Sequence, residues 1–161
     1  MGELAAVDAS PLIFLAHARL LHFLRYAAPE LVVPIPVAEE ISRRGSKDPT
    51  AQALAETRWL RTVEAPVTPP NLQAWDLGPG ESAVLAWCLG NPGSQAIVDD
   101  LAARRCAATL GVPVRGTLGL VLIAKQRGEI SAARSVLEEL RQAGMYLSDA
   151  VLNRALKRVG E

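Results

Sequence analysis

Leu4-Ala5-Ala6-Val7-Asp8-Ala9-Ser10-Pro11-Leu12 is a short apolar run that stops at a carboxylate and turns at once into Ala-Ser-Pro. Beyond it apolar residues recur at Leu12, Leu15, Ala16, Leu20, Leu21 and Leu24, the spacing of one helix face. The stretch therefore predicts a buried strand, a sharp turn and an amphipathic helix. The unit recurs. Leu31-Val32-Val33-Pro34 predicts a strand with a helix from about Pro36 through Arg44, and Trp59 to Val63 a third strand after a short helix ending near Arg58. Gln95 to Val98 and Val112 to Val114 complete the set, followed by helices over Leu101–Leu110 and from Gly116 to Arg127.

Short apolar strands alternating with helices predict an α/β chain, a three-layer α/β/α arrangement with a central mostly parallel sheet covered on both faces. Right-handed crossovers then gather the strand C-termini along one edge, where such folds place their sites. Ala65 to Pro70 is Pro-rich and irregular, and reads as a connector rather than a boundary. Gly78-Pro79-Gly80-Glu81-Ser82 opens a helix to about Leu89, with Pro79 or Glu81 in its first turn. Helices near Ser131–Ala143 and Ser148–Arg158 close the sequence, so residues 1–161 read as one domain with its C-terminal helices from about 131.

The charge balance is zero, with 17 Lys+Arg against 17 Asp+Glu. That argues against binding nucleic acid through a globally basic surface. The zero is a cancellation: residues 1–100 hold 7 basic and 12 acidic side chains, residues 101–161 hold 10 and 5. Of the basic residues 14 are Arg, which suits bidentate phosphate or carboxylate recognition. A hydrophobic content of 50% excludes bulk disorder. Cys88 and Cys106 lie in apolar stretches with no partner motif and are expected to be buried thiols. With no basic n-region and no apolar run near the roughly 18 residues of a membrane span, a cytosolic, non-membrane protein is expected.

The acids fall at telling places. Asp8 and Asp99-Asp100 come directly after strands, Glu40 sits in the helix after another strand, and Glu81 begins a helix. In a parallel sheet these converge on one edge, where their repulsion is costly without cations. Mg²⁺ or Mn²⁺ with oxygen ligands is the expected compensator. Each acid also has a plainer reading: Asp8 or Ser10, and Asp99 or Asp100, as helix caps; one of Glu39 and Glu40 as a solvated helix residue; Glu81 as a helix-dipole partner. His17 and His22 do not share a helix face, and no His stands near Ser10 in sequence for a hydrolase triad. Gly78, Gly80 and Gly90 make no phosphate-cradling motif, and Trp59, Trp75 and Trp87 read as core. A phosphoacceptor fold would need a Lys after a late strand, where Arg115-Gly116-Thr117 stands. A haloacid-dehalogenase-type phosphatase would need Asp where Ser10 stands.

Val7-Asp8-Ala9-Ser10-Pro11-Leu12-Ile13 resembles the first motif of PIN-domain ribonucleases, Val37-Ala38-Glu39-Glu40-Ile41 their second, and Gly80-Glu81-Ser82-Ala83-Val84 their third. Ile97-Val98-Asp99-Asp100-Leu101, continuing through Gly111-Val112-Pro113-Val114 to Gly116-Thr117-Leu118-Gly119, is similar to a prokaryotic branch related to VapC toxins. The resemblance runs to the C-terminal helices around Gly144 and Ser148. It implies metal ligation by Asp8, Glu40, Glu81 and Asp99 or Asp100, with Ser10 supporting the first acid. Arg104 or Arg105 would meet the phosphate backbone. It further implies hydrolysis of RNA, an antitoxin protein as partner and a homodimer. The alternative is an inactive PIN-like module that binds a protein or RNA without cutting.

Overall fold

Ala5, Ala6 and Val7 are fully buried, and a strand with no exposed face belongs at the centre of a sheet. The computed structural model, which describes residues 2–161, places β1 (Leu4–Val7) there. It is flanked by β2 (Glu30–Pro34) and β4 (Gln95–Ile97), with β3 (Leu60–Val63) and β5 (Val114–Arg115) at the edges. All neighbours are parallel, in the order β3-β2-β1-β4-β5. The chain fills one side of β1, then crosses over to build the other. The crevice at the C-terminal ends of β1 and β4 is therefore the switch point of the sheet.

The helices are α1 (Ala9–His17), α2 (Ile35–Ser42), α3 (Pro49–Glu56), α4 (Pro70–Gln73), α5 (Pro79–Gly90), α6 (Leu101–Leu110), α7 (Thr117–Gln126), α8 (Ala133–Gln142) and α9 (Asp149–Arg158). A 3₁₀ turn spans Leu21–Tyr26. One apolar core draws on residues from Ala5 to Leu156. It includes both cysteines, which are free and buried as expected, and Trp87, with Trp59 and Trp75 packed partly buried against it. The apolar faces of α8 and α9, through Leu137, Leu140, Leu152 and Leu156, are spent on this core.

Three local differences from the sequence reading have physical causes. The first helix does not run on to Leu24: Arg19 takes a left-handed conformation at φ 59°, and the Leu20 N–H donates to the Leu15 carbonyl at 2.7 Å. That is a Schellman ending, with Arg where Gly is usual. The last strand begins at Val114 rather than Val112, because the Val112 N–H is taken by the Ala107 carbonyl in the α6 ending and Pro113 has no N–H. The Pro-rich connector closes with the short helix α4, which starts at Pro70. None of these shifts moves an acid.

The carboxylate edge and its cleft

Asp8 extends the β1 ladder, its N–H donating to the Ile97 carbonyl at 3.0 Å, and then occupies the N-cap position of α1. Its carboxylate makes no capping bond to that helix. The side chain is 2% exposed, in a setting that disfavours charge. Burial first, then the field of Glu81, with Glu40 and Asp99 adding to it and the Ala9 amide opposing, push its pKa from 3.8 up to about 7. No Lys, Arg or His pairs with Asp8, Glu40, Glu81 or Asp99 among the described residues.

Glu40, not Glu39, turns toward this edge from α2. Gly80, in the first turn of α5, makes room for it. A Cβ on Gly80 would stand 3.1 Å from Glu40 Oε2 and 3.2 Å from Asp8 Oδ1, so the bare Cα lets both acids approach the helix. Glu81 follows in the same turn and leans back over Gly78, whose Cβ would meet Glu81 Oε2 at 2.6 Å. Proline at the start of α5 presets this turn, and an acid there suits the helix dipole.

Asp99 and Asp100 part company. Asp100 caps α6, its Oδ2 accepting from the Ala103 N–H at 2.9 Å, and it is exposed. Asp99 points across the edge to the start of α7, where its Oδ1 accepts from the Thr117 N–H at 2.8 Å and its Oδ2 from the Thr117 hydroxyl at 2.7 Å. Burial raises its pKa, while the Thr117 bonds and the Arg104 charge oppose the rise. An ionised carboxylate has about four acceptor positions, so two bonds leave lone pairs for another donor or a cation. The structure thus gathers Asp8, Glu40, Glu81 and Asp99, while Asp100 stays outside the group whose field reaches Asp8.

Arg104 is committed behind Asp99. Its Nη1 donates to the Val98 carbonyl at 3.1 Å, and Gly116 clears the space, since a Cβ there would lie 2.6 Å from that Nη1 and 3.1 Å from Asp99 Oδ1. Arg105 is exposed on α6. Ser10 lines the opening beside the acids. His17 lies elsewhere, 3.6 Å from Asp48 in a surface cluster with Arg44.

Thr117, Gly80 and Gly116 stand within the motif stretches quoted above, but sequence reasoning assigned them no role in the site. Thr117 had a signal in its position at the first turn of a helix directly after a strand. The two glycines had none, because what they spare is contact between distant segments.

A cleft of about 890 Å³ opens at Ser10, Glu81 and Asp99 and runs past Arg104 and Arg115 to the segment Gly144–Leu147. Asp8 and Glu40 are not on its wall. Among the described residues, no three His, Cys, Asp or Glu side chains stand together closely enough to grip a metal ion. The donor set is nonetheless all carboxylate, which suits a hard divalent cation. Glu40 is exposed and Glu81 half-buried on their helices. The fit is therefore one of charge and ligand type.

A family model described as a PIN domain (DUF3368) matches residues 4–161. Among solved structures, the fold resembles one described as the PIN domain endonuclease Utp24, with a TM-score of 0.53 and 10% identity over 70% of this chain and 84% of that one. No curated protein matches the sequence. With the family match spanning the sequence from β1 to the end of α9 and beyond, this chain belongs to the PIN-domain family.

Proposed function

We propose that this PIN domain is a metal-dependent endoribonuclease that hydrolyses RNA phosphodiester bonds. One observation carries the reading: carboxylates from four separate segments converge on the switch point of the sheet with no salt bridge to any of them among the described residues, and burial together with the field of Glu81, Glu40 and Asp99 raises the pKa of Asp8 to about 7. A structural role gives no return for that crowding, whereas a divalent cation would turn it into attraction. Asp8, Glu40, Glu81 and Asp99 would hold the ion, Mg²⁺ or Mn²⁺ by ligand type. Bound there, it would supply Lewis-acid polarisation of the phosphate and a lowered pKa for the attacking water. Asp8 provides a fixed carboxylate at the sheet edge, and Thr117 holds Asp99 in one orientation. Glu40 and Glu81 close in from α2 and α5. Arg104 partly offsets the charge of Asp99. The fold likeness to the endonuclease Utp24 supports the same reading.

The test is cleavage of single-stranded RNA with Mn²⁺. Asp8→Asn should abolish cleavage with the fold intact, and undiminished cleavage by that variant would overturn the assignment. The spacing of the acids favours a second reading, a PIN module that binds RNA or protein without cutting. Calorimetric titration with Mn²⁺ separates the two, since absence of binding selects the second. A VapC-like toxin role, with an antitoxin partner, a homodimeric state and a cytoplasmic location, is proposed on the motif resemblance alone. No helix among the described residues is long and apolar enough to cross a membrane. Growth arrest on expression, relieved by a co-expressed antitoxin, tests the toxin role.

A further inference from the structure

Resting on the ribonuclease reading, we infer that the far arm of the cleft seats an unpaired base of the RNA strand, with Tyr146 as its stacking platform. Tyr146 is 91% exposed, while its neighbours Met145 and Leu147 are 9% and 7% exposed. Burial alternates along the segment, with residues 145 and 147 turned into the protein and residue 146 turned out. The segment is also tied down. Gly144, at φ 106°, ends α8 in a Schellman motif, with the Met145 N–H donating to the Leu140 carbonyl and the Gly144 N–H to the Arg141 carbonyl, each at 3.0 Å. A Cβ on Gly144 would lie 3.9 Å from the Phe14 ring, so the loop passes beside the helix that begins after Asp8.

The result is a fully exposed aromatic ring on fixed backbone, lining the same cleft whose other end carries Glu81 and Asp99. Packing gives no reason for it. Leu118 and Leu122 from α7 add apolar wall to the cleft, and Arg104, Arg115 and Arg158 add positive charge. One cleft thus combines the carboxylates that would meet a cation with basic, apolar and aromatic side chains that suit a flanking nucleotide. Every base has a π-face, so stacking on Tyr146 would tolerate sequence while requiring the base to be unpaired. The substrate is accordingly a single-stranded or looped segment, and a base-paired duplex is excluded from this arm.

The experiment uses the full chain and short single-stranded oligoribonucleotides carrying 2-aminopurine, or one abasic site, at successive positions. The wild type should quench 2-aminopurine at one position. Tyr146→Ala should lose the quenching and Tyr146→Trp keep it. In cleavage, Tyr146→Ala should raise KM by about 5–150-fold, the range for one lost base stack, with the loss in KM rather than kcat, and an abasic site at the same position should erase the difference. Cleavage with an unchanged KM in Tyr146→Ala would overturn the inference and leave the ribonuclease reading standing. Position-specific quenching without any cleavage would do the reverse. Equal quenching in wild type and Tyr146→Ala, or a protein segment competing for this arm without displacing RNA, overturns the stacking site.

Discussion

Two aspartates close adjacent strands of the same sheet, and their surroundings could hardly differ more. Asp8, after β1, is sealed from water, accepts no cap bond and faces three other acids, so its carboxylate is held near neutrality. Asp99, after β4, is gripped by both the amide and the hydroxyl of Thr117 and has Arg104 at its back. One is an unsatisfied charge, the other an oriented one. A site that must take up a cation needs both kinds. The unsatisfied acid supplies the driving force, and the oriented acid sets where the ion sits.

The largest break in this comparison is Asp8→Asn. Besides abolishing cleavage, it should raise metal-free stability at pH 8. The sign follows from the raised pKa: below about pH 4 the acid is protonated folded or unfolded and costs nothing. As pH rises toward 7 the unfolded chain ionises it first, so the folded state loses stability up to a plateau above pH 7. At about 1.4 kcal/mol per pKa unit, the penalty reaches up to about 4 kcal/mol. Thermal melts in a chelator should show the wild type losing ground to Asp8→Asn between pH 4 and 8, and parallel melts across that range would remove Asp8 from its place as the strained acid.

Next comes the other partner. Thr117→Val deletes the hydroxyl on Asp99 without changing the fold class of the residue, and should cost about 10–100-fold in metal affinity or cleavage, as lost support of a ligand does elsewhere. Thr117→Ser should restore most of it. Unchanged Mn²⁺ affinity in the valine variant would mean that Asp99 needs no orientation. Gly80→Ala tests the space the two acids share with α5. Its methyl crowds Asp8 and Glu40 together, and should destabilise by about 1–3 kcal/mol in denaturant titrations.

The smallest effect lies away from the edge and has the opposite pH sign. Helix α8 has Ala132 at its N-cap, which cannot cap, and the Glu161 carboxylate does so instead, accepting from the Ala133 N–H at 2.6 Å and the Arg134 N–H at 3.2 Å. These bonds, the first above all, lower the Glu161 pKa, so its contribution is present at neutral pH and lost as pH falls through the folded value. Glu161→Gln should cost about 1 kcal/mol at pH 7, the usual worth of a cap, and the difference should close in acid.

The alternation of apolar runs with helical periods was enough to read a parallel α/β sheet, because a buried strand such as Ala5-Ala6-Val7 has no polar face to confuse its period. It was enough, too, to see that acids follow strands. The choice between Asp99 and Asp100 was not legible, since either can cap α6 and only the arrival of Thr117 from the next βα unit decides. The break after His17 was hidden for a different reason: Leu20, Leu21 and Leu24 keep the helical spacing through a backbone reversal at Arg19. Tyr146 drew no notice because exposure is a property of the folded surface, not of the residue.

The place of β1 at the middle of the sheet has a consequence in time. Ala5 pairs with both Leu31 and Gln95, so the first strand made is completed only when a segment from the second half of the sequence docks against it. Contacts of such long range form late and slowly. Asp8 emerges early in synthesis, but Asp99 and the Thr117 that orients it come much later, and Tyr146 later still. A partly made chain therefore carries half an edge, and the gathered acids exist only once β4 and α7 are in place.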